Sequence, residues 1–325
     1  MPRIQATYAH QRRPKVSRRG GLAAPASVVV LLFILVLTAS GAFVSCSSSS
    51  AVAVTDLLDR AVQIDEQPVR IVTLHPTATE TLYRAGGVAV GRDTSSQYPA
   101  EVLDLPTVGS AYSPSMEKVA ELTPDLVIIE ALTQASFVDQ LEQLGVPVIA
   151  VRAASLDDVS KSLTLVAKII DTKKTADQAI AEIQGRIDTA SANAPEGKSI
   201  LIFIADAEKN VYAARADSYP GAVAALLGLD NLAADLQGPA PYTGFAQFTP
   251  EMALQSNPDV VFTITPAPLP APRLSQLLPM IPGFKEMPAV KEGRVVELDP
   301  VLFLQAQGPR MADAVEELLD IVNNL

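Results

Sequence analysis

The spacing of apolar and polar positions changes several times along this chain, and each change predicts an element. "VRIVTL" from Val69 is a β-branched apolar run that reads as a buried strand. "TATETLYRAGG" follows at helical spacing, with Thr77 or Thr79 as cap and Gly86-Gly87 as stop. A short strand in "VAVGR", a loop in "SSQYPAEVLDLP", a helix from Met116 and a strand "LVIIE" ending at Glu130 continue the alternation. A helix in "SFVDQLEQLG", stopped at Gly145, and a strand "VPVIAV" complete it. Strands that alternate with helices pair in parallel and have both sheet faces covered. From Ser155 to Ala192 the strand signal disappears, while Val159, Leu163, Val166 and Ile170, then Ile180, Ile183 and Ile187, recur at helical spacing. This predicts a long helix, broken or bent around "DTKK". The alternation then resumes with a strand "SILIFI", a helix "YPGAVAALLGL", a late strand "RVVELD" and a closing amphipathic helix "GPRMADAVEELLDIV". Six prolines between Pro266 and Pro282 exclude a central strand or helix interior there and predict a stiff rim loop.

One unit is written twice. "SMEKVAELTPDLVII" (Ser115–Ile129) and "TPEMALQSNPDVVFTI" (Thr249–Ile264) align Ser115 with Thr249, Glu117 with Glu251, and Pro124-Asp125 with Pro258-Asp259. Six residues separate the Glu from the Pro in both. The repeat of the unit implies a repeat of the lobe. The predicted fold is therefore α/β, with two Rossmann-like lobes built on central parallel sheets and joined by a long interdomain helix. The N-terminal lobe takes residues 67–154, the linking helix 155–192 and the C-terminal lobe 193–325.

The N-terminus obeys a different pattern. Residues 1–25 carry Arg3, Arg12, Arg13, Lys15, Arg18 and Arg19 and no acidic residue, and the apolar segment Ala26–Thr38 follows. This is an export signal, assigned to residues 1–45, with a tether over 46–66. Cys46, the chain's only cysteine, stands directly after it, so no internal disulfide forms. The arrangement resembles a bacterial lipoprotein signal, in which Cys46 is lipidated and becomes the mature N-terminus; an uncleaved membrane anchor is the alternative. Both place the body outside the cytoplasm.

Removing 1–45 takes away 6 of 25 basic residues and none of the 36 acidic ones, leaving 19 − 36 = −17. So acidic a body repels nucleic-acid phosphate, which excludes DNA and RNA as partners. His75 is the only histidine after the signal, too few for a free-metal site. No nucleophile elbow or phosphate-cradling glycine loop is present, and no His–carboxylate pair at ligand spacing, so an enzyme is not expected.

With these elements in order, "RIVTLHPTATETLYRAGG", "DTSSQYP", the two repeated units, "MPAVKEGRVVELD" and "GPRMADAVEEL" together resemble the helix-linked (class III) periplasmic substrate-binding proteins of ABC importers that serve ferric siderophores, haem and cobalamin. The resemblance implies a monomer without an intrinsic cofactor. Its ligand would be an iron chelate, a corrinoid or haem, and its partners a permease dimer with its ATPase. It also implies that Glu117 and Glu251 are the surface carboxylates that dock the two permease subunits. "DTSSQYP" is similar to haem-binding members, yet Ser110 stands where those carry a tyrosine after the "VG" glycine, with Tyr112 two places on.

Ligands of open α/β sheets sit beyond the carboxyl ends of the strands. Residues placed there are His75, Thr77, Ser96, Tyr98 and Tyr112 in the first lobe, and Tyr219, Tyr242, Phe245 and Phe303 in the second. Tyrosine offers a flat apolar face with a hydrogen-bonding tip and can also ligate haem iron. Arg152, Arg215 and Arg310 are the candidates for neutralising an anionic ligand.

Overall fold

An antiparallel hairpin opens the described chain: β1 (Val52–Thr55) pairs with β2 (Ala61–Ile64). In this computed structural model residues 51–238 and 241–325 are described; the expected signal segment 1–45 and the candidate lipidation residue Cys46 lie outside them. The expectation of a tether over 46–66 is corrected for residues 52–64. Asp56, in the hairpin turn, accepts hydrogen bonds from the backbone N–H groups of Leu58, Arg60 and Ala150 and from the Arg60 guanidinium. These bonds fasten the turn to the first lobe.

That lobe is a four-stranded parallel sheet. Its strands are β3 (Ile71–Thr73), β4 (Ala89–Gly91), β7 (Leu126–Glu130) and β8 (Val148–Val151), in the order β4-β3-β7-β8. All five residues of "LVIIE" are buried, because helices cover both faces and no position alternates to solvent. Helix α1 (Pro76–Arg84) starts on His75 as cap with Pro76 in the first turn, and its chain turns away at Gly86 (φ 92°). A two-residue-tip hairpin, β5 (Gly109–Ser110) with β6 (Ser113–Pro114), leads into α2 (Met116–Glu121), capped by Ser115. The helix expected in "SFVDQLEQLG" is reduced to a 3-10 turn, Ala135–Phe137, and α4 (Val138–Glu142), preceded by the short α3 (Ala131–Gln134).

The linking segment over 155–192 is two helices, α5 (Leu156–Ile170) and α6 (Lys173–Ala192), and the break falls at the start of "DTKK", where the expected long helix was read as broken or bent. Asp171 adopts the left-handed conformation (φ 56°, ψ 45°) and ends α5, and Thr172 starts α6. Helix α5 packs on α1 and β1 and so belongs to the first lobe, whereas α6 packs on α5 and on the last helix of the chain. Only α6, about 30 Å long at 1.5 Å per residue, connects the lobes.

The second lobe begins with β9 (Ser199–Ala205) and β10 (Val211–Ala214), followed by α7 (Tyr219–Leu226), β11 (Asp230–Asn231) and β12 (Phe245–Gln247). Helix α8 (Pro250–Gln255), β13 (Val260–Ile264), α9 (Leu274–Leu277), α10 (Pro288–Lys291), β14 (Val295–Leu298) and α11 (Met311–Asn323) complete it. Strand order is β12-β10-β9-β13-β14, with β11 also paired to β9. Strands β9, β11, β13 and β14 are parallel; β10 runs antiparallel to both β9 and β12 and gives the sheet a mixed edge. The proline-rich segment is more than a rim, because Leu274 and Leu278 are buried in the core of this lobe. One apolar cluster runs from the first sheet through α5 and α6 into the second lobe, including Ile128, Leu163, Ile187, Phe262 and Val315. The lobes therefore share a packed spine. Among the described residues no helix is long and apolar enough to cross a membrane.

Candidate functional site

At the carboxyl end of β3 the polar residues turn inward. His75 caps α1, its Nδ1 accepting the Thr77 N–H at 3.1 Å, and burial lowers its pKa from 6.5 to about 4, so the imidazole is neutral. The Thr77 hydroxyl is enclosed without a partner. Thr79 Oγ1 lies 2.7 Å from Thr73 Oγ1 and 2.8 Å from Ser96 Oγ, and Ser96 donates to Asp93. His75, Thr77 and Ser96, placed among the ligand contacts by their strand-end position, thus lie in the floor of the lobe; each is at most 9% exposed. Arg92 was not singled out in the sequence, yet its buried guanidinium donates to the carbonyls of Val102, Asp93 and Leu103 at 2.7, 3.0 and 3.3 Å. Those bonds fold the 93–103 loop into a shape that carries Tyr98 outward.

Tyr98 is 51% exposed, with the Arg310 guanidinium 4.7 Å from its ring centroid. Arg310 belongs to the second lobe and donates two hydrogen bonds, 2.9 and 2.7 Å, to the Glu80 carboxylate on α1 of the first. Burial pushes the Glu80 carboxyl above its ordinary value, and the bonds from Arg310 oppose that rise. Tyr219 lies in the core: it is 3% exposed, its hydroxyl has no partner, and burial followed by the nearby Glu80 charge raises its pKa. Tyr98 and Tyr219 therefore converge on one interlobe ion pair. Beside that pair is a cavity of ≈ 320 Å³, lined by Tyr83, Tyr98, Glu101, Glu182, Arg186 and Asp313 among others.

The remaining aromatic positions divide. Tyr112 occupies the tip of the β5–β6 hairpin and is 77% exposed, while the neighbouring Ala111 is buried and its carbonyl accepts from Gln134 Nε2 at 2.7 Å. The buried anchor makes the hairpin hold its ring out. Tyr242 is 36% exposed and packs edge-on against Tyr212, centroids 5.5 Å apart, with Tyr212 donating to Asp206. Phe245 and Phe303 belong to the apolar spine at 6% and 0% exposure. Strand-end position alone did not reveal which way a ring points.

Glu117 and Glu251 are both exposed, each in the first turn of its helix behind a Ser115 or Thr249 cap. Its own backbone N–H and the Thr249 hydroxyl hold the Glu251 carboxyl below the ordinary value. All three candidate arginines are engaged: Arg152 with Asp158 at 2.8 Å, Arg215 with Asp217 at 2.7 Å, and Arg310 with Glu80. Among the described residues no group of three or more His, Cys, Asp or Glu is arranged to hold a metal ion.

Comparison with known proteins agrees with this architecture. The periplasmic binding protein family matches residues 71–302. An ABC transporter substrate-binding lipoprotein of Bacillus subtilis, YvrC, is 30% identical over 83% of this chain and 85% of its own. A cobalamin-binding protein of Halobacterium salinarum is 26% identical over 83% of this chain and 73% of its own. Among solved structures, the petrobactin-binding protein YclQ of Bacillus subtilis superposes with a TM-score of 0.71 at 20% identity, covering 85% of this chain and 98% of that one. The chain belongs to the periplasmic binding protein family and is a substrate-binding protein of ABC transport.

Proposed function

We propose that this protein is tethered outside the cytoplasm through Cys46, takes up a large metal chelate of low net charge between its lobes, and delivers it to a permease by docking through Glu117 and Glu251. A corrinoid is the first candidate ligand and a hydroxamate-type siderophore the second. One observation carries the ligand class: Tyr98, Tyr112 and Tyr242 present exposed rings, while Arg152, Arg215 and Arg310 are each neutralised by a carboxylate. Flat aromatic faces with polar tips suit a broad, amide-bearing ligand. A ligand with several carboxylates would need these three cations, which already have carboxylate partners. The cobalamin-binding relative from Halobacterium salinarum points the same way. Haem is the alternative, and the freely exposed Tyr112 at a hairpin tip favours it.

The test is titration of the 47–325 protein with cyanocobalamin, a ferric hydroxamate and haemin. Expected is a dissociation constant below about 10 μM, roughly −7 kcal/mol, for the corrinoid or the hydroxamate. No binding by any of the three overturns the ligand reading. Reversing both Glu117 and Glu251 to Arg should leave that constant unchanged and abolish uptake through the reconstituted transporter; undiminished uptake removes the docking role. Cys46→Ser should release the protein from the membrane fraction, and continued membrane retention would favour an uncleaved anchor.

A further inference from the structure

Arg310 occupies an unfavourable place for a cation. It stands at the N-cap position of α11 without a side-chain capping bond, where the helix dipole repels positive charge, so it is not there to help the helix start. Its side chain is 18% exposed and that of Glu80 3%, and burying an ion pair stabilises a fold weakly at best because both ions lose water. Such a pair specifies geometry. The geometry here is the register between the lobes, since the partners come from α1 and from the start of α11, 230 residues apart. The neighbouring ion pairs, Arg84 with Glu182 and Arg186 with Asp313 and Glu316, join α6 to each lobe but are far more exposed. Among the described residues, Arg310 alone also faces an aromatic ring that solvent reaches, that of Tyr98. Its guanidinium is held in plane by two bonds to Glu80, and a fixed cation over the ring attracts the negative face of its π-system.

We infer that Arg310 is a positioning residue for ligand capture: clamped from the opposite lobe by Glu80, it fixes the Tyr98 ring as a wall of the ligand site and ties the placement of that wall to the register of the two lobes. This rests on the proposed reading that Tyr98 meets the ligand. Two arms test it on the 47–325 protein. In the first, without ligand, the protein is labelled with 3-fluorotyrosine and its Tyr98 resonance is identified by Tyr98→Phe. Arg310→Lys and Glu80→Gln should each shift that resonance, with Tyr112 and Tyr242 unmoved; an unmoved Tyr98 resonance overturns the inference. In the second, cyanocobalamin is the probe. Arg310→Lys and Glu80→Gln should each weaken binding roughly 10-fold, and Tyr98→Ala should add little once Arg310 is Lys. Losses from Arg310→Lys and Tyr98→Ala that multiply fully would overturn the coupling. Lys keeps the charge, and thermal melts of both variants establish that they are folded. If the unaltered protein binds none of the three chelates, the ligand reading fails, while the fluorine arm still decides whether Arg310 positions Tyr98.

Discussion

Alanine at Tyr112 and alanine at Phe303 should have opposite effects. Tyr112 exposes 77% of its surface on a hairpin whose tip is anchored through buried Ala111, so removing its ring costs the fold little. A ligand that covers about 80 Å² of that ring contributes ~2 kcal/mol at ~25 cal/mol per Å², which is about 30-fold in affinity. Phe303 is fully enclosed in the π-helical turn Val301–Gln305, in the same apolar cluster as Leu302, Met311 and Leu318. Emptying such a site costs about 3–5 kcal/mol, a fall of roughly 6–20 °C in melting temperature for a domain of this size. Melting followed by circular dichroism and calorimetric titration with cyanocobalamin measure both quantities on the same samples. Expected are an unchanged melt with weakened binding for Tyr112→Ala, and a lowered melt with nearly unchanged affinity of the folded protein for Phe303→Ala. A Phe303→Ala protein that melts normally but binds about 30-fold more weakly would put that ring in the ligand site and refute the division.

Two further outcomes concern the scaffold under the site. Burial holds His75 at about 4 rather than 6.5, so the unfolded chain takes up a proton that the folded chain refuses as pH falls through that window. Stability is complete above about 6.5 and declines by roughly 3 kcal/mol by pH 4. His75→Asn keeps a cap acceptor for α1 and removes the titration, so urea midpoints at pH 7 and pH 4.5 should lie closer together in the variant; equal separation in both proteins rules the assignment out. Asp56→Ala strips the acceptor from three backbone N–H groups and leaves Arg60 without its closest carboxylate. A loss of about 3–5 kcal/mol is expected in chemical denaturation, and a loss under about 1 kcal/mol would return residues 52–64 to the status of a loose leader.

What the sequence disclosed and what it withheld follow from how far each interaction reaches along the chain. Strands such as Leu126–Glu130 and helices such as Met311–Asn323 are local: their own periodicity and caps decide them. The first-turn placement of Glu117 and Glu251, the proposed docking carboxylates, was legible for the same reason, since each follows a cap residue. The N-terminal hairpin was missed because "VAVT" and "AVQI" are only four residues each, and their anchor, Ala150, lies 94 residues from Asp56. Strand β10 escaped for a similar reason, being short and held by pairing on both sides. Position at a strand end brought Tyr98, Phe245 and Phe303 to notice together, but only packing separated an exposed ring from two buried ones. The arginines show the limit most clearly. "GPR" reads as the start of a helix, and no local pattern reveals that its guanidinium reaches a carboxylate in the other lobe. Arg152 and Arg215 find their carboxylates six and two residues away, so of the three arginines only Arg310 has a partner distant in sequence. The pair that joins the two lobes, Glu80–Arg310, is therefore visible only once the chain is folded.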